Sequence, residues 1–348
     1  MKLKNKIFLM VGLLVLLSGG LAACGKNKEE STKEAANPKE VRIGIIRVPN
    51  DKQVAIQQDF FKKYFDDKGI KTSFMFFDSG VAANQAFASG SIDFAEMGYT
   101  NGVVACATEL PVELIWIHEV LGENEALVAQ KELGATSVED LRGKKIATPF
   151  SSTSHLSLLK ALEEAKIEDD VTILDMETAE IVAAWERGDI DAAYTWEPTL
   201  SKIKETGDVL IDSRELAEKG YLTANIDLVH KDFSEKYPNL VRDYLLALNE
   251  AVELYKDNPE KAAQAAADAL EITEEDALSQ MKATEWLTLE EQVGDGYLGT
   301  SDNPGKFHDV FYDTAVFLKE QGSIKRVPDE KEVNRFISSK YVELALEK

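Results

Sequence analysis

The segment Pro149-Phe150-Ser151-Ser152-Thr153-Ser154-His155 places four hydroxyl side chains in a row between an apolar stretch ending at Thr148 and a helical pattern opening near His155. Free N–H groups at a helix start, together with the positive end of the helix dipole, hold an oxyanion without a full positive charge. Ordinary N-capping by Ser152 or Thr153 accounts for one hydroxyl but not for four. Two further strand-to-helix junctions carry the same chemistry, a hydroxyl plus Gly or Asn at the helix start: Phe77-Asp78-Ser79-Gly80 and Gly98-Tyr99-Thr100-Asn101. In open α/β sheets the ligand crevice lies at the carboxyl ends of the strands, so all three junctions can face one cleft. A small tetrahedral anion fits that chemistry, with His155 at the end of the longest segment added to the candidate contacts.

A cation has its own candidate partners. Glu125 stands in Leu121-Gly-Glu-Asn-Glu-Ala-Leu127, and Asp227 stands in the apolar run Asn225-Ile-Asp-Leu-Val-His230. An acid inside an apolar strand is costly unless paired, which marks Asp227 as a ligand contact or as half of a hinge ion pair. Trp185, Tyr194 and Trp196 flank a second-lobe strand, where their rings either close over the alkyl part of a ligand or pack in the core. Catalytic signatures are missing: there is no Gly-x-Ser-x-Gly elbow and no Gly-x-x-x-x-Gly-Lys phosphate loop. The four histidines, His118, His155, His230 and His308, lack metal-ligand spacing, and Cys106 in Val103-Val-Ala-Cys-Ala107 reads as a small buried hydrophobe. The reading is therefore a binder without cofactor or metal.

The elements that must position these residues alternate in type. Val41-Arg-Ile-Gly-Ile-Ile46 is strand-like, and Val54, Ile56, Phe60, Phe61, Tyr64 and Phe65 follow with helical period. Strand 71–77, helix 81–89, strand 92–97 and helix 103–108 continue the pattern of an open, parallel-type sheet flanked by helices. Gly90-Ser-Ile-Asp-Phe-Ala95 is echoed by Gly188-Asp-Ile-Asp-Ala-Ala193, each between a helix and a strand, which predicts two topologically similar α/β lobes. The chain is expected to enter the second lobe near Gln130 and return near Asn225. That gives a discontinuous first lobe, 41–129 and 226–348, and a second lobe, 130–225, joined by two hinge crossings. Leu240–Tyr255, Glu260–Leu270 and Val310–Gln321 are predicted helices.

The N-terminus speaks of export. Lys2, Lys4 and Lys6 precede an apolar run from Ile7 to Leu17, too short to span a membrane comfortably, and Leu21-Ala-Ala-Cys24 follows as a lipobox. Residues 1–23 read as a signal peptide, Cys24 as the lipid-bearing residue, and 24–40 as a polar tether. The formal net charge is −23, and −26 once the three leader lysines are removed, which makes nucleic acid and anionic lipid surfaces poor partners. One cysteine besides Cys24 leaves no internal disulfide, so packing holds the lobes.

Landmarks along the chain, among them Phe77-Asp-Ser-Gly80, Ala88-Ser-Gly90, Pro111-Val-Glu113, Glu125-Ala-Leu-Val128, Glu139-Asp-Leu-x-Gly-Lys-x-Ile-Ala147, Pro149-Phe-x-Ser-Thr-x-His155, Ala183-Ala-Trp-x-Arg-Gly-Asp-Ile-Asp191 and Phe317-Leu-Lys-Glu-Gln-Gly322, resemble the taurine-binding proteins of ABC importers, within the sulfonate, nitrate and thiamine-precursor receptor group. The resemblance runs from about Val41 to the end. It implies the periplasmic-binding-protein fold and delivery of solute to a permease driven by an ATPase. For taurine it implies a sulfonate held by Ser79, Thr100, Ser152, Thr153 and neighbouring amides, with the ammonium facing Glu125 and Asp227. Glu197, before Pro198, departs from the small residue usual there and adds negative charge near the expected cleft. The protein is expected to act as a monomer tethered to the outer face of a Gram-positive membrane; another alkanesulfonate, nitrate or a thiamine precursor is the alternative solute.

Overall fold

The structure is a computed structural model that describes residues 36–347; Cys24, the leader and most of the tether lie outside the described residues. Its strands in chain order are β1 (Glu40–Ile46), β2 (Lys71–Phe77), β3 (Phe94–Gly98), β4 (Val112–Val120), β5 (Glu125–Gln130), β6 (Lys145–Thr148), β7 (Thr172–Asp175), β8 (Ala192–Trp196), β9 (Gly207–Asp212), β10 (Ala224–His230) and β11 (Glu285–Trp286). They form two sheets, ordered β11-β4-β10-β3-β1-β2 and β7-β6-β8-β5-β9.

Both sheets are mixed, where the sequence pattern suggested parallel pairing. In the first, β1 is parallel to β2 and β3, and β10 runs antiparallel between β3 and β4. The second repeats the plan, with β6 parallel to β7 and β8 and β5 antiparallel between β8 and β9. The reversed strand in each sheet is the one that arrives from the other lobe. A chain crossing beside the cleft enters at the carboxyl ends of the parallel strands, so its next strand must run away from the cleft.

This geometry moves one expected boundary. β5 pairs with β8 and β9, so Glu125–Gln130 belongs to the second sheet and the first crossing lies at residues 121–124, before the expected position near Gln130. The run Leu127-Val128-Ala129 is apolar enough to suit either sheet, which is why periodicity misplaced it. The return crossing precedes β10, which joins the first sheet.

The hexapeptide echo has a structural cause. Gly90 and Gly188 take φ of +68° and +70°, the left-handed conformation that ends a helix at little cost for glycine. Three residues later Asp93 accepts the Arg42 backbone N–H at 2.8 Å, and Asp191 accepts the Lys145 backbone N–H at 2.8 Å. Each aspartate thus ties the entry of its strand, β3 or β8, to the first of the parallel strands in its sheet, β1 or β6.

The first lobe is thickened by helices from the C-terminal part of the chain. Pro238–Asp257 buries Leu240, Val241, Tyr244, Leu245, Leu248 and Val252, apolar residues at three- and four-residue spacing, against its sheet. The second sheet is covered on both faces by smaller apolar clusters. Among the described residues no helix is long and apolar enough to cross a membrane.

Candidate functional site

Three helices start directly after parallel strands: Gly80–Ala88 after β2, Tyr99–Ala107 after β3, and Thr153–Ala165 after β6. Their first turns reach one cavity of about 530 Å³, counting its open mouth. Ser79, Gly80, Val81, Gly98 and Asn101 line it from the first lobe, Ser152 and Thr153 from the second. Ile46, Val48, Leu121, Pro149, Phe150 and Trp196 supply an apolar wall, and Asn124, Glu125 and Asn225 complete it beside the crossings.

The lobes touch at this point. Thr100 Oγ1 donates to the Ser151 carbonyl oxygen at 3.0 Å, and a Cβ on Gly98 would sit 3.0 Å from Thr153 Cγ2. Glycine at position 98 lets the second lobe approach the start of the Tyr99–Ala107 helix.

Five of the ten expected contacts line the cavity: Ser79, Glu125, Ser152, Thr153 and Trp196. Ser79 precedes the Gly80–Ala88 helix without using its hydroxyl as a cap. Ser152 does cap, accepting the His155 N–H at 3.1 Å and donating to the Pro149 carbonyl at 2.6 Å. Glu125, fully buried, accepts at Oε1 from Thr153 Oγ1 at 2.5 Å and Ser154 Oγ at 2.7 Å, and at Oε2 from Ser213 Oγ at 2.7 Å. Burial pushes its carboxyl above the usual range even though these hydroxyls favour the charged form. Among the described residues it is the only ionisable side chain in the lining.

The other five sit elsewhere. Thr100 is fully buried one residue behind the surface, in its contact with Ser151. His155 stacks on Phe150 with centroids 4.4 Å apart and takes the Ser151 N–H, and burial lowers its pKa to about 4. Trp185 lies in the second-lobe core, its Nε1 donating to Thr206 at 2.9 Å. Tyr194 is buried with its hydroxyl 3.2 Å from Ser213 Oγ. These two rings follow the packing alternative.

Asp227 requires the largest correction. Its strand passes the cleft, but the side chain is buried two residues beyond Asn225, where Oδ2 meets Lys52 Nζ at 2.8 Å, Tyr244 Oη at 2.5 Å and His118 Nε2 at 3.3 Å. An acid in an apolar strand needed a partner, and a lysine of the first helix supplies it. Glu197 also differs from expectation: its carboxylate accepts the Ser201 N–H at 2.8 Å, facing its own following helix instead of the cavity lining.

The sequence pattern does not mark Asn124, Asn225 and Phe150 as contacts, and it marks Asn101 only as part of a helix start. Phe150 and Asn101 stand within the quoted junctions, whereas Asn124 and Asn225 give no pattern beyond their nearness to the two acids.

Two lobes of like topology around a cleft at the carboxyl ends of their strands define the periplasmic-binding-protein fold. The family model described as NMT1/THI5 like matches residues 55–262, and the chain belongs to that family. It is 33% identical over 284 residues to the taurine-binding periplasmic protein of Escherichia coli (strain K12), an alignment covering 80% of this chain and 85% of the relative. The alkanesulfonate-binding protein of Xanthomonas axonopodis pv. citri bound to MOPS superposes with a TM-score of 0.70 at 22% identity, over 85% of this chain and 96% of that one. A desulfurization enzyme shares the fold at a TM-score of 0.62 and 16% identity, over 89% of this chain and 99% of its own.

Proposed function

We infer that this protein is the extracytoplasmic solute receptor of an ABC importer, that it captures taurine in the inter-lobe cleft, and that it hands the solute to the permease. One observation carries the reading: three helix N-termini and a single buried carboxylate, Glu125, meet in one small cavity. The helix starts suit a sulfonate, each contributing about 0.3–1 kcal/mol and up to about 2 kcal/mol where partly buried. Glu125 suits an ammonium. A zwitterion uses both, a simple alkanesulfonate or nitrate leaves Glu125 idle, and a cationic thiamine precursor leaves the helix starts idle. The similarity to a taurine-binding relative supports the same choice.

The lipobox ending at Cys24 supports a receptor held on the outer face of the cell membrane and tethered by residues 24–40, as suits a Gram-positive cell. It acts as a monomer without a cofactor. Binding, not turnover, is its role: the only described cysteine, Cys106, is buried with its thiol pushed up to about 12 by burial, and no cysteine or histidine lines the cavity.

Calorimetric titration with taurine, ethanesulfonate, sulfate, nitrate and a cationic pyrimidine tests the assignment. Taurine should bind tightest, and Glu125→Gln should weaken taurine by at least about tenfold while changing ethanesulfonate little, because a buried charge partner is lost. Equal binding of taurine and ethanesulfonate by the unmodified protein would overturn the zwitterion reading.

A further inference from the structure

Beneath the cavity floor lies a second acid that the ligand cannot touch. Glu119 of β4 is 2% exposed, and its Oε1 accepts from Asn225 Nδ2 at 2.6 Å. Asn225 lines the cavity and sits opposite Glu119 on one side and Gly98 on the other, next to an irregularity in the β10–β4 pairing. Irregularities of this kind re-aim side chains beside binding sites. Only the NH2 end of the amide can serve a carboxylate oxygen, so Oδ1 is the end left for the cavity. No hydrogen bond among the described residues engages that Oδ1.

We propose that Asn225, held in one orientation by Glu119, is a specificity-determining contact that presents its carbonyl oxygen to the cationic end of the ligand. The assignment rests on the zwitterion reading and supplies the second ammonium partner that Asp227, turned into the core, does not. Glu119 is the positioning residue. Its Oε2 is buried without a hydrogen-bond partner among the described residues, so Asn225 is the side chain that serves this carboxyl. Burial and the neighbouring Glu96 push the Glu119 carboxyl up to about 8, and the orientation argued here is the one the carboxylate imposes, since only a protonated acid could donate to Oδ1. A free asparagine would turn either end to the cavity and accept or donate alike; a fixed one rejects a ligand that offers no donor, as polar sites reject analogues lacking the matching group.

The test is the ratio of taurine to ethanesulfonate affinity, read by calorimetry for the unmodified protein, Asn225→Ala, Glu119→Met and Glu119→Gln. Asn225→Ala should lower the ratio at least about fivefold through taurine alone. Glu119→Met, which frees the amide, should lower it in the same direction, and Glu119→Gln, whose carbonyl replaces Oε1, should restore it to within about twofold. The double variant Asn225→Ala/Glu119→Met should be no worse than Asn225→Ala, since both act through one contact. If Asn225→Ala weakens both ligands equally, or if Glu119→Gln falls with Glu119→Met, the pair is structural and the proposal fails while the zwitterion reading stands. If the unmodified protein shows no preference for taurine, the reading falls and the proposal with it. Asn225→Ala changes a half-exposed side chain, so the test survives even if a Glu119 variant does not fold.

Discussion

On the proposed reading, Ser79 is the hydroxyl best placed to meet the sulfonate, because it makes no cap bond although it stands at a helix start lining the cavity. Ser79→Ala should therefore weaken taurine and ethanesulfonate alike, by about 1.5–3 kcal/mol if the hydroxyl donates to the sulfonate, with no loss of helix stability. Calorimetry beside a thermal melt separates the two effects, and a drop in unfolding temperature with unchanged affinity would contradict it. Asp227 behaves oppositely. Asp227→Asn leaves Lys52 buried without its partner, which costs about 3–5 kcal/mol in stability, while the taurine to ethanesulfonate ratio should stay as it was. The same cluster sets a pH dependence. Burial opposes charge on His118, but the carboxylates of Asp51 and Asp227 outweigh it and push the imidazolium up to about 10, and burial raises Glu119 to about 8. A folded pKa above the unfolded one gives stability that is present at low pH and lost on alkalinisation, here from about pH 6.5 to about 10 for His118 and from about pH 4.5 to about 8 for Glu119. The unfolding midpoint should thus fall between pH 7 and 10, and His118→Gln should flatten that fall.

At the scale of elements, affinity depends on how closely the starts of the Tyr99–Ala107 and Thr153–Ala165 helices approach across the cleft. Gly98 has an ordinary φ of −59°, so a side chain there meets no backbone strain; its tightest neighbour would be Thr153 of the other lobe at 3.0 Å, with Asn101 at an ordinary 3.7 Å. Gly98→Val should hold the lobes apart and weaken every sulfonate at least about tenfold, with the unliganded melting temperature shifted little. A small-angle scattering profile no more open than that of the parent protein would refute this cause. The three strand-to-helix junctions were legible in the sequence because hydroxyls, Gly and Asn cluster where a strand must become a helix, and the Gly90 and Gly188 echo was legible because the same turn and the same aspartate tie recur. What stayed hidden depended on pairing between distant segments. Asp227 looks alike whether it meets a ligand or Lys52, some 175 positions earlier, and Trp185, on the helix Thr178–Arg187, and Tyr194, within β8, look alike whether they face the cleft or the core. The placement of β5 was hidden for the same reason, since an apolar run carries no mark of the sheet it will join.

For the whole molecule, capture and anchoring are assigned to parts that share no residue. Every cavity-lining residue falls between Ile46 and Asn225, whereas the lipobox ends at Cys24 and the intervening tether is polar. On the proposed reading, lobe closure needs only the two crossings beside the cleft, and the anchoring segment lies outside both. On the proposed reading the anchor is a diacylglyceryl group on Cys24, and a chain of net charge −26 beyond the leader gains little from anionic lipid, so membrane retention should depend on the lipid. Cys24→Ala should accordingly move the protein from the membrane fraction to the medium or leave it unprocessed, as read by fractionation and intact mass. The same variant should bind taurine within about twofold of the parent. Retention in the membrane fraction with a correctly cleaved N-terminus would remove the lipid from the account, and loss of taurine binding would mean that the N-terminal segment acts on the cleft after all.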